Sequence, residues 1–505
     1  MTTMSLPEQP NLEHLRGQAR ALQRRVRAAD PEAVARVVRH YDGGAPDVSF
    51  PLSTAQLVLA REYGFASWSR LRQYLDLVAE LGWDGASANR TRLDPADEFC
   101  RLACLTYGDD DGPDRWARAG ELLSRWPDLT ANHVWAAACA GDAPAVSRLV
   151  EEDPARVHQR GGPNRWRPLC YLAYSRTQLD ESPSAALCIA RTLLDAGADP
   201  NEGYLWNGQP YAFTVLTGVF GEGELGPTRQ PRHPHAQVLA RVLLEAGADA
   251  NDGQALYNRM FTPDNDHLEL LFEFGLGRGD GGVWKARMGD LFDSPSQLLR
   301  GQLRWAVEHD LLERVRLLVR HGADFRSPYP SRRGHETVES GPTLAELAAV
   351  YGHGAIADYL VAVGATPPDL DPVNELVGAA FRVDRRAVAR IRRRHPEALA
   401  DAVAARPGLI VWAASRGRAD AVAFLAELGF DVNARGRGDA PVEEEWETGL
   451  HHAAAAGDGP LVRLLLKLGA DPNERDARFG STPLGWALHF GRTETAEILA
   501  PLTDE

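Results

Sequence analysis

The end of an apolar helix, a glycine and a short acidic turn recur along this 505-residue chain. LLDAGADPN ends at Asn201, LLEAGADAN at Asn251, LLVRHGADF at Phe325, FLAELGFDVN at Asn433 and LLKLGADPN at Asn473. Weaker copies are LLFEFGLG (Leu270 to Gly277) and YLVAVGAT (Tyr359 to Thr366). A chain of this length exceeds one compact core. A recurring helix end points to an array in which each unit buries its apolar face against its neighbours. The last copy is rich in oxygen ligands, with Asp471, Asn473, Glu474 and Asp476 close together. A calcium loop needs a glycine at its sixth position and a glutamate at its twelfth. Counted from Asp471 these are Asp476 and Thr482, so the stretch reads as a structural bend and no metal site is expected.

The unit has a physical logic. GLHHAAAAGD (Gly449 to Asp458) supplies a first helix of small residues, and PLVRLLLKLGAD supplies a second. Leu461, Leu464, Leu465 and Leu468 share one face of that second helix at helical spacing. Gly469 stands where the helix must end in a left-handed residue. Asp471 and Asn473 suit the outgoing turn, and in STPLGWALHFG Thr482 caps the next helix with Pro483 in its first turn.

These segments resemble ankyrin repeats, whose unit of about 33 residues carries T-P-L-H-x-A. The signature stands as TPLGWA at Thr482 to Ala487 and TGLHHA at Thr448 to Ala453, and in altered form as RPLCYLA from Arg167 and TLAELAAVYGH from Thr343. Gly485 and Ala345 are read at the position where the family has His. The resemblance covers roughly residues 95 to 505. It implies an all-α fold, an ankyrin-repeat α-solenoid with short hairpin loops preceded by a small helical bundle. It also implies protein recognition through hairpin tips and inner helices, and no reaction. Spacing is uneven: Gly429 to Gly469 is 40 residues and Gly364 to Gly429 is 65, with an extra divergent unit between Asn374 and Val403. About ten or eleven units are expected in 97–505.

A net charge of −15 disfavours bulk binding to phosphate backbones. Lys285 and Lys467 are the only lysines, so 53 of the 55 basic residues are arginine, a usage associated with GC-rich bacterial genomes. Cys100, Cys104, Cys139, Cys170 and Cys188 form no CxxC pair, which suits a reduced compartment. MTTMSLPEQPN lacks the pattern of a secretory signal, and no stretch approaches the roughly 20 apolar residues of a membrane span. The expected location is cytoplasmic. No P-loop, nucleophile elbow or zinc-helix motif is present, so no cofactor and no catalytic residue is nominated.

One stretch departs from the repeat. GYLWNGQPYAFTVLTGVFGEGELGPTRQPRHPHAQ, Gly203 to Gln237, reads as a long insertion and is followed by DGQALYNRMF from Asp252. Its aromatic and acidic residues suit a binding pocket, or else pack the insertion onto the array. The candidate partner-binding residues are Trp206, Tyr211, Phe213, Phe220, Glu222, Glu224, Tyr257 and Arg259. Replacing Trp206 and Phe220 together by Ala is expected to weaken partner binding and spare the fold. His233 and His235 could share a metal, but no third ligand is indicated.

Residues 1–81 read as a helical module and 82–96 as a linker. Within the module, 52–78 has helix, Gly64 turn, helix. That pattern invites comparison with DNA-binding helix-turn-helix segments, although Arg70 falls where an apolar residue belongs and Leu71 comes one later. A module packing on the array's first unit is the simpler reading. Arg385, Arg386, Arg390, Arg393 and Arg394 form a basic patch fit for an acidic partner, or merely a solvated helix flank. The sequence thus describes a non-catalytic scaffold or regulator that binds protein partners. The alternatives are a DNA-binding regulator using 52–78 and a small-molecule or enzymatic site around 204–259.

Overall fold

A computed structural model describes the chain apart from residues 1–5, 7–10, 42, 44–45, 47–48, 84–93, 178–181, 330, 334–335, 339–340, 439–444 and 505. The protein is an all-α repeat protein, about 61% helical with 3% strand. It divides into two compact units, one comprising 1–303, 317–324 and 333–337, the other 304–316, 325–332 and 338–505.

The second unit holds the most regular repeats. Helix pairs Leu409–Ser415 and Ala419–Glu427, Gly449–Ala456 and Gly459–Lys467, and Pro483–His489 and Thr493–Leu499 follow in order. Leu461, Val462 and Leu465 are buried, and Gly469 ends that pair at φ +98, in the left-handed region expected of it. The oxygen-rich turns use their oxygens internally. Asp471 accepts from the Asn473 amide at 2.8 Å, and Asp431 accepts from the Asn433 amide at 2.9 Å. Asn433 then reaches the next unit: its Nδ2 donates to the Gly469 carbonyl (3.0 Å) and its Oδ1 accepts from the Asp471 amide (2.7 Å). Asp476 accepts from the amides of Arg478, Phe479 and Ser481 and from the Trp486 indole.

The histidine of the TGLHHA segment closes the same kind of bridge. His451 Nδ1 accepts from the Thr448 amide (3.2 Å), which leaves the proton on Nε2 to donate to the Ser481 carbonyl at 3.0 Å. The structure corrects one alignment. Glu346, not Ala345, occupies the equivalent position, because it lies three residues after the cap Thr343 and closes a capping box on it (2.7 and 3.2 Å). Gly485 has no side chain to make this bridge.

The first unit opens with helices Leu12–Arg27, Pro31–His40, Leu52–Glu62 and Trp68–Leu81. Asp30 caps the second, with Pro31 in its first turn. Leu71, Tyr74 and Leu75 make the buried face of the fourth helix, so the apolar role falls one residue after Arg70. That face does not stop at the module. It shares one apolar cluster with Leu205, Ala212, Trp284 and Met288, which belong to the insertion and to helix Gly282–Met288. The module therefore packs on the middle of the array, where the insertion offers it an apolar surface. Gly82 and Trp83, read as the start of a linker, form a strand in parallel register with Leu205 and Trp206. Residues 84–93 of that stretch lie outside the described residues. Cys100, Cys104, Cys139 and Cys170 are buried and Cys188 exposed, all as free thiols.

Burial holds the His451 imidazole below the ordinary histidine range. A histidine buried neutral contributes fully above its unfolded pKa, about 6.5, and loses that contribution as pH falls below it. His451→Ala should therefore cost about 3 kcal/mol near neutral pH, from a lost bridge and an unpaired Ser481 carbonyl. The gap from the parent protein should narrow between pH 7.5 and 5. Hydrogen exchange of residues 449–499 across that range reads both effects.

Candidate functional site

The insertion folds into a hairpin that turns through Asn207 and Gly208, both at positive φ. Strands Gly203–Trp206 and Ala212–Thr214 pair antiparallel, with Tyr204 opposite Phe213 and Leu205 opposite Ala212. Side chains alternate faces along a strand. Leu205 and Ala212 enter the cluster shared with the N-terminal module. Tyr204 enters an aromatic cluster, stacked on Trp166 (4.7 Å, 16°) and on Phe213 (5.7 Å, 18°). Tyr74 donates to the Gly208 carbonyl at 2.7 Å and Trp206 Nε1 to the Thr106 carbonyl at 3.2 Å. Both bonds hold the turn end of the hairpin.

Beside the hairpin lies a cavity of about 650 Å³, within the range of ligand pockets. Trp206, Tyr211 and Phe213 form one wall, Glu224 and Leu225 the next, and Gln254, Tyr257 and Asn258 a third. Trp284, Lys285, Phe292 and Asp293 also line it. Tyr107 also lines it, held at φ +58, a left-handed conformation that costs a non-glycine residue of order 1 kcal/mol. Its ring packs on Phe213 at 4.8 Å. Burial raises its hydroxyl above the usual tyrosine range. Trp284 Nε1 donates to the Asn201 carbonyl at 3.0 Å, which ties helix Gly282–Met288 to the turn of an earlier repeat.

The carboxylates in the wall differ in how they are used. Asp252 is buried, caps helix Gly253–Arg259 through the Ala255 amide (2.9 Å) and accepts from the hydroxyls of Thr214 and Thr217. Burial raises it above the usual carboxylate range, against those bonds. Glu224 is exposed and accepts from the Tyr257 hydroxyl. Asp249 accepts from the Asn251 amide at 2.9 Å. Lys285 donates to the Phe292 carbonyl.

A second polar centre lies behind the cavity. Arg259 is fully buried and bonds to Glu222, Asp264 and Asp266. Arg232 donates to the same three carboxylates at 2.5, 2.6 and 2.7 Å, and Thr262 Oγ1 donates to Glu222 at 2.7 Å. Asp264, Asp266 and His267 place one potential ligand atom each within 4.8 Å of one another. Both aspartates already pair with the two guanidinium groups, which also hold Glu222, so this is an ion-pair network. The His235 amide donates to His233 Nδ1 at 3.1 Å, which occupies one nitrogen of that ring. Behind the network Arg176 is buried and donates to the carbonyls of Pro231, Gly218, Ala173 and Ser175. It thereby holds the two ends of the 221–232 loop to the array.

A family model of ankyrin repeats, in three copies, matches residues 410–504. Residues 410–504 are ankyrin repeats. Two curated relatives are similar to this chain over shorter stretches. The E3 ubiquitin-protein ligase Ufd4 of Drosophila melanogaster is 38% identical over 94 residues, 18% of this chain and 3% of the relative. Protein PhlB of Serratia liquefaciens is 38% identical over 86 residues, 17% of this chain and 35% of the relative. The chain thus spans 3% and 35% of the lengths of these two relatives.

The residues singled out from the sequence separate into two groups. Trp206, Tyr211, Phe213, Glu224 and Tyr257 line the cavity. Phe220 is a core residue, 1% exposed, and Glu222 and Arg259 belong to the buried network. Truncating Phe220 would therefore strike the fold, and the expectation that its loss spares the structure is corrected. Tyr107, Asn258 and Trp284 also line the cavity without having been singled out. They lie in separate stretches that no sequence spacing connects. In the ankyrin-bearing unit, helix Arg385–Arg394 buries Ala387, Val388 and Ile391 and leaves Arg386, Arg390, Arg393 and Arg394 exposed. Arg385 pairs with Glu427 at 2.6 Å and lies over Phe424.

Arg259→Ala leaves Glu222 buried beside one guanidinium fewer and should destabilise the protein by about 3–5 kcal/mol. Tyr211→Ala, at a side chain 53% exposed, should change stability by no more than about 0.5 kcal/mol. Urea unfolding followed by tryptophan fluorescence distinguishes the two.

Proposed function

We propose that this protein is a non-catalytic scaffold or regulator that binds a protein partner in the cytoplasm, with the cavity beside the insertion as a recognition site. The observation that carries the reading is the run of ankyrin repeats at 410–504, a module of protein interaction. The cavity supports it independently. Tyr211 and Tyr257 remain 53% and 40% exposed at its edge, and rigid aromatic side chains are favoured anchors in protein interfaces. Among the described residues no helix is long and apolar enough to cross a membrane. On helix Trp68–Leu81 the exposed Arg70 and Arg72 are offset by the exposed Asp76 and Glu80, so that surface gives duplex DNA little net attraction.

The test is affinity capture of the tagged protein from native lysate, with and without nuclease, followed by mass spectrometry. A stoichiometric protein partner that survives nuclease is expected. Trp206→Ala with Tyr211→Ala, which replaces the variant carrying Phe220→Ala, should reduce that partner's recovery at least about tenfold, equivalent to about 1.4 kcal/mol. Loss of every partner on nuclease treatment would instead favour nucleic acid. Full recovery by the folded double variant would remove the cavity from the interface.

A further inference from the structure

Resting on the reading of the cavity as a recognition site, we propose that its occupant is a peptide segment of the partner that carries an arginine side chain.

The charge of the wall comes first. Glu224, Asp249, Asp252 and Asp293 line the cavity against a single basic residue, Lys285, among the described lining residues. Lys285 directs its ammonium to the Phe292 carbonyl of its own segment, and Asp252 is occupied by Thr214, Thr217 and the Ala255 amide. Glu224 and Asp293 are exposed, and among the described residues no arginine lines the cavity. An anionic ligand would be repelled here, and a cation would be drawn in.

The aromatic edge selects the kind of cation. Tyr211 and Tyr257 are the two aromatic side chains left most open in the wall, and a guanidinium stacks on such faces while donating in its plane to carboxylates. The chain's own Arg385 adopts this arrangement elsewhere, over Phe424 at 4.5 Å and paired with Glu427 at 2.6 Å.

A third feature points to peptide. Asn258, 2% exposed, lines the cavity beside Tyr107 and Gln254, and Gln254 Nε2 donates to its Oδ1 at 2.8 Å. The wall thus carries amide and hydroxyl groups beside its carboxylates. A peptide main chain supplies donors and acceptors to such a wall. Cation, stacking face and main chain together describe an acylated arginine within a polypeptide. A free amine or guanidine supplies only the first two.

The experiment uses the full-length protein and three probes: Ac-Gly-Arg-Gly-amide, the same peptide with citrulline, and agmatine. Binding is followed by tryptophan fluorescence and calorimetry, since Trp206 and Trp284 stand in the wall. The arginine peptide should bind at least about tenfold more tightly than either other probe, and its affinity should fall as salt rises. Glu224→Gln with Asp293→Asn, at exposed positions, should weaken it about tenfold with an unchanged thermal midpoint. Equal binding of the citrulline peptide would overturn the cation, equal binding of agmatine would overturn the peptide, and no binding of any probe would overturn both. Captured partner separates these failures from that of the underlying reading. If the partner is lost with Trp206→Ala and Tyr211→Ala but retained with Glu224→Gln and Asp293→Asn, only the arginine inference fails. If both double variants retain it, the cavity reading fails as well.

Discussion

Each helix pair in this protein ends with an apolar face that only a neighbouring pair can cover, and the polar turn between pairs fixes how they meet. An asparagine side chain supplies a donor and an acceptor at that point. Asn201 bridges to the Gly247 carbonyl and the Asp249 amide, as Asn433 does to Gly469 and Asp471. Asn251 does the same to the Arg278 carbonyl and the Gly277 amide. The aspartate two residues earlier folds the turn that aims it. Leucine burial supplies the driving force, of order 25 cal/mol per Å², but it is non-directional. The amide bridges set register.

The cavity depends on departures from that pattern. The insertion replaces an ordinary turn with a hairpin whose two faces are both apolar, so it needs cover on each side. The array covers one with Trp166 and Tyr174, and the N-terminal module covers the other with its Leu71 and Leu75 face. The loop that follows is irregular, with Glu222 at φ +59, and is held by charge-assisted bonds from Arg176, Arg232 and Arg259. What stays exposed is the rim between these supports, where Tyr211, Glu224 and Tyr257 stand.

Much of the repeat was legible because its signals are local. Gly469, Thr482 and Asp30 act on their own backbone neighbourhood, and their roles can be counted along the chain. The same counting placed the histidine-equivalent residue at Ala345, one position short. The actual spacing from the cap is three, and Glu346 takes the role. The candidate residues in the insertion were harder to sort. Trp206 and Phe220 look alike in sequence, but one stands in a cavity wall and the other is sealed in a helix interface. Composition cannot separate them, because exposure depends on which neighbouring unit lies over each.

The sequence by itself determined the helical repeat, its caps and its bends, since these follow from backbone preferences and apolar periodicity within about 40 residues. Tertiary structure alone decided that the N-terminal module covers the insertion. It also decided that Glu222 and Arg259 form a buried network, and that Tyr107, Asn258 and Trp284 join the same cavity as Trp206. The physical reason is separation along the chain. Tyr107 and Asn258 are 151 residues apart, and nothing local in either stretch anticipates the other. Only the stacking of the intervening helices brings them to one place.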